Sequence, residues 1–361
     1  MNPTRSIPVA FVALFGLASC KGGSAPDPIK LVPDQAKLIG SVNVKGLRTS
    51  KFYQDNKDKF ESKDFKEVEE AAKGCKLDID SFDKVIFGAD PAGENFVVVI
   101  SAKGLGNTQN LECLATKVKE KTGEERFKVV EKDGAKVVEI TGSEGGGVGI
   151  PVGNDLLVVT SNGWAAAVKE LIGGKGKAAV DGALKDIAAK APKDKQVWLA
   201  GLVTSDMAPA LAGSPVEAIQ AIYGGVDFSN GLAISLGGLT DAPEKASEAQ
   251  KKLQEQFDQL KPMMAPMGVP AKIIESVKIE AAGQEIKVSL AASPEDLKAL
   301  QEKVGKMLGG MGGRPPAAPP MQPPMQPPSG APPQAPPAAG GAPAAAGPAA
   351  APADAPAQPA H

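Results

Sequence analysis

The chain has one histidine in 361 residues, and it is the last of them, His361. A Ser-His-Asp or Cys-His nucleophile needs a positioned imidazole, which the rest of the chain does not supply. Zinc sites built on His and Cys clusters are excluded on the same ground. Carboxylate-only glycosidases and Ser-Lys enzymes are not. Aromatics make up only 4%, which argues against a surface that stacks sugars or bases. Neither charge dominates: 40 Lys and Arg face 42 Asp and Glu, for a net charge of −2. The signs are interspersed, with no basic stripe, so nucleic acid is not an expected partner. No apolar run reaches the roughly 20 residues of a membrane-spanning helix.

The residues that remain offer little chemistry. Carboxylate pairs occur at Asp78 and Asp80, Glu69 and Glu70, and Glu124 and Glu125. They sit among lysines, as on a solvated face, without the separation that paired acid and base work requires. The glycine-rich stretch from Gly142 to Gly149 lies between predicted strands and fails the strand-to-helix context of a dinucleotide loop. Gly173-Gly174-Lys175-Gly176-Lys177 lacks phosphate-loop spacing and reads as a helix exit. Seven of nine methionines lie at or after Met263, including Met264 and Met267. Clustered thioethers can select Cu(I), but methionine more commonly fills gaps or lines a loop, and Met263 to Pro270 reads as an inter-helix connection. No catalytic, cofactor-binding or metal-binding residue is assigned, no cofactor is expected, and the chain reads as non-enzymatic.

The amino-terminal end is more specific. Residues 1–19 carry Arg5 as their only charge, then an apolar stretch from Ile7 to Leu17, then Ala18 and Ser19 ahead of Cys20. This order of basic, apolar and small residues is that of an export signal. Leu17-Ala18-Ser19-Cys20 resembles the lipobox of bacterial lipoproteins. The resemblance covers residues 1–20 alone, and the body resembles no characterised family. It implies that Cys20 becomes the first mature residue and carries diacylglycerol plus an amide-linked acyl chain, enough for stable anchoring. Lys21 follows, where an Asp would imply inner-membrane retention in a Gram-negative cell. The resemblance therefore implies the outer membrane over the inner one in such a host.

Residues 20–29 read as a short linker. From Arg314 onward, 17 of the chain's 32 prolines fall in 48 residues, nearly all the rest Ala, Gly and Gln. Such a segment cannot bury enough apolar surface to offset its ordering entropy, so 311–361 is predicted to be a disordered tail. As polyproline II it reaches up to about 150 Å, long enough to contact envelope proteins or cell wall. A passive spacer is the plain alternative.

With Cys20 lipidated, Cys75 and Cys113 remain. An even pair in an exported chain favours a disulfide. Leu111, Leu114, Ala115 and Val118 form one helical stripe, and Cys113 points away from it, which disfavours a buried thiol. Two free thiols are the alternative.

The body between 30 and 310 is expected to be α+β, with antiparallel sheets and helices packed on one face. Helices are predicted over 47–73, from Leu111, from Ser161 or Asn162 to Gly173, over Pro215 to Tyr223, after Asp241-Ala242-Pro243-Glu244, and after Ser293-Pro294-Glu295-Asp296. Hairpins are expected around Lys132-Asp133-Gly134-Ala135, around Gly153-Asn154-Asp155, and from Val277 to Leu290. The hairpin over 127–140 echoes that over 277–290, each with a helix before it and another ending the unit. Two lobes from a diverged duplication would then span 30–175 and 176–310; a chance echo is the alternative. Functionally the chain reads as a lipid-anchored envelope protein with a structural or interaction role. The alternative is a carrier holding a small or lipidic ligand between two lobes.

Overall fold

The computed structural model describes residues 26–61, 63–91, 93–141 and 146–311. The export signal, Cys20, most of the linker, Gly142 to Gly145 and the Pro-rich tail lie outside these residues. The body, up to residue 310, forms one compact unit. It opens on a 3-10 turn, Pro28–Leu31, capped by the Asp27 carboxylate. Strand β1 (Leu38–Asn43) leads into four short helices, α1 (Val44–Thr49), α2 (Lys51–Asp55), α3 (Lys57–Phe60) and α4 (Lys63–Lys73). Strands β2 (Lys84–Ala89) and β3 (Phe96–Ser101) precede helix α5 (Thr108–Thr122). Four strands follow: β4 (Phe127–Lys132), β5 (Ala135–Ile140), β6 (Gly147–Val152) and β7 (Leu156–Ser161). Helices α6 (Ala165–Ile172) and α7 (Lys185–Lys190) lead to β8 (Val197–Leu202), α8 (Ala208–Leu211), β9 (Ile219–Asp227) and β10 (Leu232–Thr240). Helices α9 (Pro243–Met264) and α10 (Ala271–Ser276), strands β11 (Lys278–Ala282) and β12 (Glu285–Ala292), and helix α11 (Pro294–Met311) complete the chain.

All twelve strands belong to one antiparallel sheet, in the order β11-β12-β10-β9-β8-β1-β2-β3-β7-β6-β5-β4. The class is α+β, as the hairpin signals imply. The two expected lobes do not close separate sheets, because β1 pairs with β8 from Leu38↔Gly201 to Val42↔Val197. Residues 175 and 176 fall in the connection between α6 and a 3-10 turn at Ala179–Asp181. The halves are joined by one continuous sheet, and residues of both line a cavity beside it, Phe52 and Asn56 from the first half and Gly231, Leu297 and Gln301 from the second.

The halves nevertheless follow one path. Three strands form a meander, a helix crosses, and the chain returns so that its last strand lies beside the third: β7 beside β3, and β12 beside β10. By this path the counterpart of the hairpin β11-β12 is β6-β7. The 127–140 hairpin, β4-β5, is an addition at the edge of the first half.

Helices cover both faces of the sheet, not one. Leu156 and Val158 of β7 join a large core with Ile39, Val97, Val99, Trp198 and Tyr223, sealed by Leu31, Val168 of α6 and Ile187 of α7. The alternate residue Leu157 joins a second cluster with Val138, Leu105 and Leu111 of α5, and Ala72 of α4. On that same face α9 sets Ala246 and Ala249 on Ile286 of β12. The cause is in β7 itself, Leu-Leu-Val-Val-Thr-Ser, which is apolar at both parities and so needs cover on both sides.

Pro215 to Tyr223 is not a helix. Ile219 to Asp227 is β9, paired with β8 and β10, and Ala221 and Tyr223 face the large core. Val216, Ile219 and Ile222 fit helical spacing, while Ile219, Ala221 and Tyr223 fit strand spacing. The two flanking strands decide between them. Residues 47–73 form not one or two helices but parts of four, the first starting at Val44. Asp241 does not cap α9; it pairs with Lys245, and Ala242 holds the cap position.

Candidate functional site

Cys75 and Cys113 are bonded, with Cα atoms 5.5 Å apart, and tie α4 to α5. The two helices are also joined by the Lys121–Glu70 ion pair. A charge-assisted hydrogen bond from Lys121 holds the Glu70 carboxyl below its usual range. Cys20, the expected lipidation site, lies outside the described residues.

None of the paired carboxylates is poised for acid and base work. Asp78 accepts the Asp80 backbone N–H at 2.9 Å, and Asp80 meets Arg48 at 2.8 Å. Glu69 is paired with Lys73, Glu124 with Arg126, and Glu125 with Lys119. These are surface ion pairs, worth little in stability. The most perturbed carboxylate is Asp227, at the end of β9. Its pKa falls to about 2 because it accepts the Ser229 backbone N–H at 2.8 Å and a Lys195 ammonium at 2.9 Å. It anchors the turn after β9. Among the described residues no three His, Cys, Asp or Glu side chains converge as metal ligands. Met263, at the end of α9, and Met267, in the turn after it, are exposed, 59% and 58%.

The feature that sequence reasoning missed is the sheet face opposite the large core. Strand register lines up its residues in three rows. One row crosses Phe87, Gly40, Leu199, Gly224, Leu236 and Val288. The next crosses Leu38, Gly201, Ile222, Gly238 and Ile286. The third crosses Val85, Val42, Val197, Val226, Ile234 and Leu290. No polar side chain interrupts these rows across β2, β1, β8, β9, β10 and β12.

In the first two rows large residues alternate with glycine, and at Gly40, Gly201 and Gly224 the large side chain beside the glycine lies over it. A Cβ on Gly40 would strike the Phe87 ring, one on Gly224 the Leu236 side chain, and one on Gly201 the Leu38 side chain. The result is an apolar floor whose glycine gaps at Gly40, Gly201 and Gly224 are filled by neighbouring side chains. On the sealed face, Ile39 of β1 and Ala200 of β8 are 0% exposed. On this face Leu38, Phe87, Leu199, Ile222 and Ile234 are only half-buried, and Leu236 is 47% exposed. None of these six belongs to a buried cluster. Helices α4 and α5 flank the floor on one side, and α9 closes it on the other by covering Ile286. The floor is thus partly exposed apolar surface centred on Leu236, and apolar surface left open to solvent is a candidate interaction site.

No helix among the described residues is long and apolar enough to cross a membrane. No protein-family model matches the chain, and no curated protein does. Among solved structures, crystal form III of TP0453 superposes with a TM-score of 0.47 at 11% identity, over 78% of this chain and 98% of that one. Crystal form I gives 0.44 at 13% identity, covering 77% and 97%, and crystal form IV gives 0.46 at 10%, covering 77% and 95%. A likeness at this level assigns the chain to no family.

Proposed function

We propose that this is a lipid-anchored envelope protein without enzymatic activity, acting through contact with other envelope components. The anchor is the lipid on Cys20, and in a Gram-negative host the outer membrane is its site. One observation carries the interaction role: an apolar floor across six strands, partly open at Leu236. Such a surface recognises by burial, not by chemistry. The Pro-rich tail extends the reach of the anchored body towards envelope protein or cell wall.

The test is fractionation of cells expressing the natural chain and a Cys20→Ala variant. The natural chain sediments with membranes and is released by detergent but not by high salt. The variant is retained uncleaved or appears in the soluble envelope fraction. A natural chain found soluble, or a variant that sediments and extracts like it after signal removal, refutes the anchor.

A further inference from the structure

We propose that the open floor of the sheet binds the acyl chain of a lipid. The inference rests on the anchored reading only for the supply of lipid; the floor itself is described by its own geometry. Three properties select an acyl chain over a protein segment. First, the floor offers no hydrogen-bonding side chain in its three rows, whereas protein interfaces average about one hydrogen bond per 100–200 Å². Second, its strands are paired on both sides from β12 to β2, so no main-chain edge within it can recruit an extended peptide. Third, the glycine positions remove the ridges into which the side chains of a partner helix would lock. Gly40, Gly201 and Gly224 each lie beneath a neighbouring side chain, which fills the gap a glycine would leave. A hydrocarbon chain needs no polar partner and lies flat on such a surface.

Exposure in this region centres on Leu236, which stands on β10 between Gly224 and Val288. Its 47% exposure makes it replaceable without opening a core. Leu260, Met263 and Met267 are also exposed, at the end of α9 and in its following turn; none belongs to the three rows, and Met263 serves as an internal control.

The experiment titrates cis-parinaric acid, a fluorescent fatty acid, into the full mature chain carrying Cys20→Ser, which has no acyl group of its own. We expect saturable binding that palmitic acid displaces. Leu236→Lys should weaken it at least tenfold, and Met263→Lys should leave it within twofold. Circular dichroism of both variants should match the parent, and if Leu236→Lys fails to fold, Leu236→Ser replaces it. Absence of saturable binding overturns the proposal, as does an equal loss with Met263→Lys. Sedimentation of the same samples reads the competing occupant. A dimer broken by Leu236→Lys, with no displaceable probe, assigns the floor to a second copy and also overturns the acyl proposal. Because the test chain is unlipidated, its failure is separate from failure of the anchor.

Discussion

At the scale of single residues, the fold is held by contacts that leave little freedom to substitute. Gly40 sits between β2 and β8, where a Cβ would meet the Phe87 ring and the Trp198 carbonyl oxygen. The ring can turn, but the carbonyl cannot leave the ladder. Gly40→Ala should therefore destabilise by about 1–3 kcal/mol, read as a lower urea midpoint at unchanged slope. The Cys75–Cys113 bond closes a separation of 38 residues. Cys113→Ser should cost about 2–4 kcal/mol in the same assay, and adding reductant should then change the variant little. Asp227 gives a pH signature. Its folded pKa, about 2, lies below the unfolded value of 3.8. The stabilisation is thus present above the unfolded value and lost as pH falls from about 4 towards 2, worth about 2 kcal/mol at most. Asp227→Asn should be less stable than the natural chain at neutral pH and approach it near pH 2 in parallel urea melts.

At the scale of elements, the sequence is legible where a signal is local. Asp133 and Gly134 take positive φ values of 55° and 74°, as the Asp-Gly hairpin signal requires. Ser293 and Asp296 close a reciprocal cap at the start of α11: the Asp296 N–H donates to Ser293 Oγ and the Ser293 N–H to the Asp296 carboxylate. Ser293→Ala should cost about 1 kcal/mol of helix stability and speed hydrogen exchange in the first turn of α11, with β12 unaffected. The stripe of Leu111 and Val118 correctly aims Cys113 away from the core and towards α4. Where two periods fit one segment, as over 215–223, only pairing with β8 and β10 resolves it, and that pairing is not local. The edge strand β11 is a further case. The Gln250 side chain of α9 donates to the Ile279 carbonyl, blunting an edge that would otherwise be open to strand addition.

At the scale of the whole molecule, continuity of the sheet through β1 and β8 is what the sequence concealed. Strands such as Val-Trp-Leu-Ala-Gly-Leu, β8, are apolar at both parities. They therefore announce two buried-type faces without saying which face a helix seals and which stays open. The apolar floor exists only once six strands are in register, so no single segment shows it. The same continuity means that the halves are one folding unit. Residues 176–310 expressed alone would expose the β8 edge and Trp198, which the whole chain keeps 5% exposed. That fragment should aggregate or show red-shifted tryptophan emission. A soluble fragment with native-like emission would show that the second half folds alone.

The anchored reading has one direct test, the intact mass of the exported protein purified in detergent. The account predicts a chain beginning at Cys20 and heavier than its polypeptide by a diacylglyceryl group and one further acyl chain, with the excess lost in Cys20→Ala. A mature chain of bare polypeptide mass, or one cleaved elsewhere, would contradict it.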